Sequence, residues 1–261
     1  MPFFEGSFAM PDARPSPTLV RLLRDSGPIL ALTGAGVSAE SGLATFRGPG
    51  GHWEGRDPTQ LATPEAFRND PLTVWRFYAW RREQAAAAEP NPAHRALAAL
   101  ERARPEFLLV TQNVDGLHER CGSRNVVRLH GSLWRLRCTE EGTETDDLRA
   151  DLGELPPRCA CGGLLRPAVV WFGEALPPEA LERALQAARN AKLAVVAGTS
   201  SLVYPAAELP MVARSAGAYV VEVNPETTPL TAHADEHLEG PAGKVLPALV
   251  EAAGIPVEEV E

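Results

Sequence analysis

Four short apolar runs, each ending abruptly in glycine or hydrogen-bonding side chains, limit this chain more than any other feature. They are PILALTG (28–34), EFLLVTQN (106–113), LAVVAGTS (193–200) and AYVVEVNPE (218–226). A strand with one wet face alternates apolar and polar residues. These runs barely alternate, so both of their faces must be covered. Helical patterns lie between them: PTLVRLLRDS (17–26), NPAHRALAALERA (91–103), PPEALERALQAARNA (177–191) and PAGKVLPALVEAA (241–253). Asn91 before Pro92 has the form of an N-cap with proline at the first helical position. Buried strands alternating with helices predict an α/β fold built on a Rossmann-like, doubly wound parallel sheet.

Two segments break that rhythm. Residues 44–90 are rich in Trp, Arg and Pro, with a helix expected around DPLTVWRFYAWRREQAAAA. Residues 131–166 are turn-rich and acidic, and hold three of the four cysteines. The expected division is therefore a large domain of 17–43, 91–130 and 167–261, with an irregular segment at 1–16. The two insertions, 44–90 and 131–166, would form a smaller domain from a helical module and a cysteine-bearing module. A ligand would sit in the cleft between the domains.

Charge and composition exclude several classes. The net charge is −9 and no basic block offsets it, which argues against nucleic-acid partners. No run approaches 18 apolar residues, so no membrane partner is expected. The start shows no positive stretch followed by an apolar core, and a cytoplasmic location is expected. Cysteines this few and clustered suggest a metal site or nothing.

The strand ends hold the candidate chemistry. In LTGAGVSAESG, Gly34, Gly36 and Ala39 follow the spacing G-x-G-x-x-A, letting backbone N–H groups approach a pyrophosphate at a helix N-terminus. The acidic residue that usually follows some twenty positions on, to hold a ribose, is absent in clear form, which fits a hydride-transferring dehydrogenase badly. Instead Phe46 and Arg47 stand where a loop could cover a ligand. Gln112, Asn113 and Asp115 end one strand; Gly198, Thr199 and Ser200 end another; Asn224 and Glu226 end a third. In a parallel sheet these ends share one edge, where ligands bind. His130 closes a further apolar run and is a candidate general base. Tyr78 and Arg81 lie at i and i+3 on one helix face, suited to a carboxylate; spacing alone favours an ordinary amphipathic helix with a solvated arginine.

Taken in order, GAGVSAESGLATFR, TQNVDGLHER, LHGS, LRPAVVWFGE, GTSSLVYP and NPE resemble the sirtuins, the NAD-dependent protein-lysine deacylases. The resemblance spans about residues 28–226. It implies NAD consumed as a co-substrate, bound by Gly34, Ala35, Gly36, Ser38, Phe46, Arg47, Gln112, Asn113, Asp115, Gly198, Thr199, Ser200, Asn224, Glu226 and Ala242. It implies catalysis by Asn113, Asp115 and His130, the histidine accepting a ribose hydroxyl proton as the acyl group is carried off. The products would be nicotinamide, acyl-ADP-ribose and free lysine, a transferase reaction. Val170, Phe172, Gly173, Val203 and Tyr204 would flank the acylated lysine of a protein substrate. The Tyr78-x-x-Arg81 pair is similar to that of the class III members, which implies succinyl- and malonyl-lysine as substrates. A plain deacetylase, or a mono-ADP-ribosyltransferase using the same NAD site, is the alternative.

The family's zinc site departs from its pattern here. Cys138 is followed by Glu141 where a second cysteine would stand, and Cys159 and Cys161 are separated by one residue. Zinc takes four ligands in a tetrahedral array. Either Glu141 completes the set or the loop packs without metal, and both readings stand at this point. Cys121 lies outside the set and reads as a small buried residue.

Overall fold

The computed structural model of the chain describes residues 14–25, 27–45 and 60–258. The elements run α1 (Pro17–Arg24), β1 (Ile29–Thr33), α2 (Pro64–Asn69), α3 (Pro71–Ala87), α4 (Pro92–Ala103), β2 (Phe107–Thr111), α5 (Leu117–Arg120) and β3 (Val126–Arg128). There follow β4 (Gly131–Cys138), β5 (Glu144–Asp146), β6 (Leu165–Val169), α6 (Pro178–Asn190), β7 (Leu193–Ala197), α7 (Leu209–Ser215), β8 (Tyr219–Asn224), β9 (Glu236–Glu239) and α8 (Ala242–Ala252).

All five residues of β1 are buried: Ile29 and Ala31 enter one apolar cluster, Leu30 and Leu32 another. This two-sided burial is what an unbroken apolar run requires. One cluster packs under α1, α4 and α8 through Leu19, Leu97 and Leu249; the other packs under α6 and α7 through Ala184, Ala188 and Leu209. The sheet order is β3-β2-β1-β7-β8-β9 and every neighbouring pair is parallel. This is the doubly wound order, which reverses between β1 and β7. Capping residues open the helices. Ser16, Thr63, Asp70 and Asn91 each accept a backbone N–H from the first turn, and each precedes a proline. At Asn91 the box closes reciprocally, because His94 Nδ1 accepts the Asn91 N–H at 3.2 Å.

A second, antiparallel sheet has the order β5-β4-β6. Its third strand runs on to Val169, past residue 166, because Gly131 pairs with Val169. Trp75, Phe77 and Tyr78 of α3 pack against Leu133, Leu136 and Trp171 to make a third apolar cluster. Among the described residues no helix is long and apolar enough to cross a membrane.

Candidate active site

The switch point between β1 and β7 is built by two glycine turns in contact. Gly36 N–H donates to the Gly198 carbonyl at 2.8 Å. A Cβ on Gly36 would stand 2.8 Å from Gly198 Cα, and one on Gly198 only 2.4 Å from Val37 N. These glycines are thus required by the turns' own approach, a reason the expected phosphate role did not supply. The helix opening there is a short 3₁₀ segment, Ala35–Ser41, rather than a longer α-helix, and it ends at Gly42 in the left-handed region.

Hydrogen bonds join the predicted strand ends into two networks. Gln112 Nε2 donates to Thr199 Oγ1 at 2.9 Å, and Asn224 Nδ2 donates to the Thr199 carbonyl at 2.8 Å. The ends of β2, β7 and β8 are thereby tied together, with Ser200 half-buried beside Thr199. In the second network Asn113 Nδ2 donates to Ser38 Oγ at 3.1 Å, and that hydroxyl donates to Asp115 Oδ2 at 2.8 Å. Burial pushes the Asp115 carboxyl above its ordinary range, although the Leu117 N–H, Ser38 and Arg81 oppose the shift. Two predicted residues stand at the margin. Glu226 is exposed, and Ala242 is buried at the start of α8, where the Gly243 N–H donates to Glu40 Oε2 at 2.5 Å. Phe46 and Arg47 lie outside the described residues.

His130 sits where β3 passes into β4. Gly131, at φ 77°, allows this, since a Cβ there would lie 2.1 Å from the Ala168 carbonyl oxygen. His130 Nδ1 is 3.1 Å from the Gln112 carbonyl oxygen. A carbonyl only accepts, so Nδ1 holds the proton and the neutral ring presents its Nε2 lone pair. Burial lowers the His130 pKa and the Gln112 bond partly restores it. Its own carbonyl accepts the Val170 N–H at 2.9 Å, joining it to the VVWFGE segment.

A cleft beside the 3₁₀ helix is lined by Ser38, Trp80, Arg81, Asn113, Asp115 and Leu133. Arg81 therefore shares a cleft with the Asn113–Asp115 loop, which the helix spacing alone did not reveal. Burial lowers the Arg81 pKa, while Tyr78 and Asp115 work to raise it. Tyr78 is buried, and its hydroxyl accepts from Trp171 Nε1 at 2.9 Å. Of the groove residues, Val170 and Val203 are half-buried, whereas Phe172, Gly173 and Tyr204 are exposed. Trp171, Arg166 and Glu174 belong to this region; they lie within the LRPAVVWFGE motif, which assigned them no role. A lone tryptophan and an ion pair between a strand and the loop after it give no periodic signal.

In the small sheet the Sγ atoms of Cys138, Cys159 and Cys161 and a carboxylate oxygen of Glu141 all lie within 4.8 Å of one another. Cys138 Sγ and Cys161 Sγ are 3.5 Å apart, close to the roughly 3.8 Å edge of a tetrahedron with 2.3 Å zinc–sulfur bonds. The Glu141 and Gly163 N–H groups point at the Cys138 and Cys161 sulfurs, as thiolate ligands require. The donors fit zinc, and the tight C-x-C spacing does not prevent their convergence. Cys121 stands outside the cluster and is half-buried rather than buried.

The Sir2 family model matches residues 34–205. The chain is 55% identical to the NAD-dependent protein deacylase of Aquifex aeolicus over 212 residues, covering 81% of this chain and 89% of that protein. It is 54% identical to NAD-dependent protein deacylase 2 of Pyrobaculum aerophilum, covering 88% of this chain and 92% of the relative. A crystal structure of a Sir2 homologue in complex with NAD superposes with a TM-score of 0.88 at 48% identity, covering 93% of this chain and 95% of the other. The ordered motifs, the doubly wound sheet with its joined strand ends and these likenesses agree: the chain belongs to the Sir2 family, the sirtuins.

Proposed function

We propose that this protein removes acyl groups from protein lysines at the expense of NAD, with a preference for succinyl and malonyl groups. The observation that carries the preference is that Arg81, held against Tyr78, lines the same cleft as Asn113 and Asp115. A carboxylate there would meet a guanidinium fork already desolvated, whereas an acetyl group would leave that fork without the anion.

NAD, when bound, supplies a ribose whose bond to nicotinamide breaks as the acyl oxygen takes its place. Gly34, Ala35, Gly36 and Ser38 on one turn, with Gly198, Thr199 and Ser200 on the other, would hold it at the switch point. Gln112 and Asn224 fix the second turn through Thr199. Phe46 and Arg47 are assigned to the covering loop, and Glu226 and Ala242 to the adenosine end. Asn113 and Asp115 place fixed dipoles and a carboxylate at the reacting ribose in a water-poor site, where developing positive charge is stabilised most. His130 takes up a ribose hydroxyl proton at Nε2, the nitrogen its Gln112 bond leaves free. Val170, Phe172, Gly173, Val203 and Tyr204 would flank a substrate strand recognised through its backbone. Cys138, Glu141, Cys159 and Cys161 would hold zinc, whose role there is structural.

The test is a pair of NAD-dependent assays on one peptide bearing acetyl- or succinyl-lysine, with the wild type and Arg81→Met. Succinyl should be preferred, and the substitution should lower its kcat/KM about 10- to 100-fold, chiefly through KM. Preference for acetyl with no effect of Arg81→Met would make this a plain deacetylase. Labelled ADP-ribose on protein without deacylation would point to ADP-ribosyl transfer instead.

A further inference from the structure

The hydrogen bonds converging on Tyr78 single out a residue that the chemistry above does not use. Trp171 is buried, 3% exposed, and its indole N–H is the donor to the Tyr78 oxygen. The indole is held on its faces and through its backbone. Arg166 Cζ lies 3.4 Å from its centroid and the Phe67 ring 5.4 Å away. Arg166 grips Glu174 with two bonds, Nη1 to Oε1 at 2.6 Å and Nη2 to Oε2 at 2.9 Å. Glu174 Oε2 also accepts the Trp171 backbone N–H at 2.8 Å. Arg166, Glu174 and Trp171 thus close into one unit that leaves the indole little freedom to turn.

The unit leads into the cleft through Tyr78. Trp171 donates to the Tyr78 oxygen, and the Arg81 guanidinium lies over the same ring, its Cζ 5.6 Å from the centroid. With the indole holding its oxygen, the Tyr78 ring is fixed and becomes the stop against which the guanidinium rests. Arg81 alone of this series lines the cleft beside Asp115.

We propose that Trp171 is a positioning residue that determines acyl specificity, acting through Tyr78 to hold Arg81 where it meets a carboxylate-ended acyl group. The inference rests on the reading of Tyr78 and Arg81 given above. An uncharged acyl group makes no demand on the fork, so the effect falls on the preference between acyl groups rather than on turnover in general.

The experiment measures kcat and KM for succinyl- and acetyl-lysine on one peptide with wild type, Trp171→Phe, Tyr78→Phe and the double variant. Trp171→Phe keeps an aromatic ring and loses the donor. The succinyl-to-acetyl ratio of kcat/KM should fall about five- to tenfold, through succinyl KM, as for one lost hydrogen bond. In the Tyr78→Phe background the same change should produce no further fall, the mark of action through the phenol. Equal losses for both acyl groups, or an undiminished fall in the Tyr78→Phe background, overturn the inference while leaving the succinyl preference in place. A wild type without succinyl preference overturns both. If Trp171→Phe does not fold, Glu174→Gln must lower the same ratio by loosening the indole's anchor, and an unchanged ratio refutes the relay.

Discussion

The carboxyl edge of the large sheet and the small three-stranded sheet are both crowded with polar side chains, for opposite reasons. Under the large sheet's edge, β1, β2 and β7 are buried at every position, and two apolar clusters clamp them from above and below. The backbone there is fixed before any polar group is considered, so the strand ends are free to hold chemistry. The small sheet has one apolar cluster, packed against α3, where the large sheet has two. All three residues of β5 are exposed, and specific polar bonds reinforce that single cluster. Arg82 has a fully buried side chain and donates to the carbonyls of Leu133, Asp147 and Arg149, with an ion pair to Asp147 at 3.1 Å. The cysteine cluster and the Arg166–Glu174 pair complete the frame. Polar groups therefore serve reactivity where apolar packing clamps a sheet from both faces, and help set the shape where a single cluster supports it.

Removing a polar group should then have opposite consequences in the two places. At the large sheet's edge the largest effect is expected from His130→Ala, which should lower kcat about 10²- to 10⁴-fold, the usual contribution of a general base. Its thermal unfolding midpoint should move by no more than about 2 °C. Because burial lowers the His130 pKa, the acidic limb of the wild-type kcat/KM profile should lie below the ordinary histidine value of about 6.5. A midpoint that drops steeply with the activity would show that His130 is architectural too, and the contrast would fail on its own ground.

In the small sheet the pattern inverts. Arg82→Met leaves several carbonyl oxygens and Asp147 without their donor, and should cost about 2–4 kcal/mol in urea unfolding. The kcat of the folded fraction should stay within about twofold of wild type. Arg81→Met, one residue away, should do the reverse: little change in urea and a raised succinyl KM. Two adjacent arginines thus divide along the line between the regions. Equal stabilities for the two variants would erase the distinction.

That adjacency shows where the sequence stops being legible. The buried strands and their helices could be read because two-sided burial appears as an unbroken apolar run. Their polar ends could be read because a parallel sheet brings them to one edge. Nothing in WRRE says which arginine is buried, since the helix carrying it packs against an irregular sheet rather than a repeating face. The edge strand β9, read EHLE, pairs on one side only and carries no apolar run to announce it. Trp171 shows its importance only through its partners. The convergence of Glu141 on three cysteines depends on how the chain turns between Cys138 and Cys159, and spacing cannot supply that.

The smallest effect concerns a place beside the large sheet where polar groups are architectural. His94 and His118 are both fully buried, with ring centroids 4.8 Å apart. Thr33 Oγ1 donates to Thr111 Oγ1 at 2.8 Å and so receives its second bond, at 3.0 Å, from His118 Nε2–H. His94 Nδ1 accepts the Asn91 N–H, placing its proton on Nε2. The pair thus braces the cap of α4 against the threonines that close β1 and β2. Burial pushes His94 down to about 3 and His118 well below its ordinary 6.5. Both values are depressed in the folded state, so the unfolded chain binds more protons below pH 6.5. The stability they represent is complete above that pH and is lost as pH falls toward the folded values. Urea unfolding should lose about 2.5 kcal/mol between pH 7 and pH 5.5, where ordinary carboxylates remain ionised, and His94→Gln should flatten the slope by about half. Activity per folded molecule at pH 5.5 then decides which kind of region this is. If unfolding accounts for all the loss, the pair belongs with Arg82 as framework. If activity falls while the fold persists, Thr33 carries the disturbance up to the strand ends, and the boundary between shape and chemistry lies deeper in the sheet than the carboxyl edge.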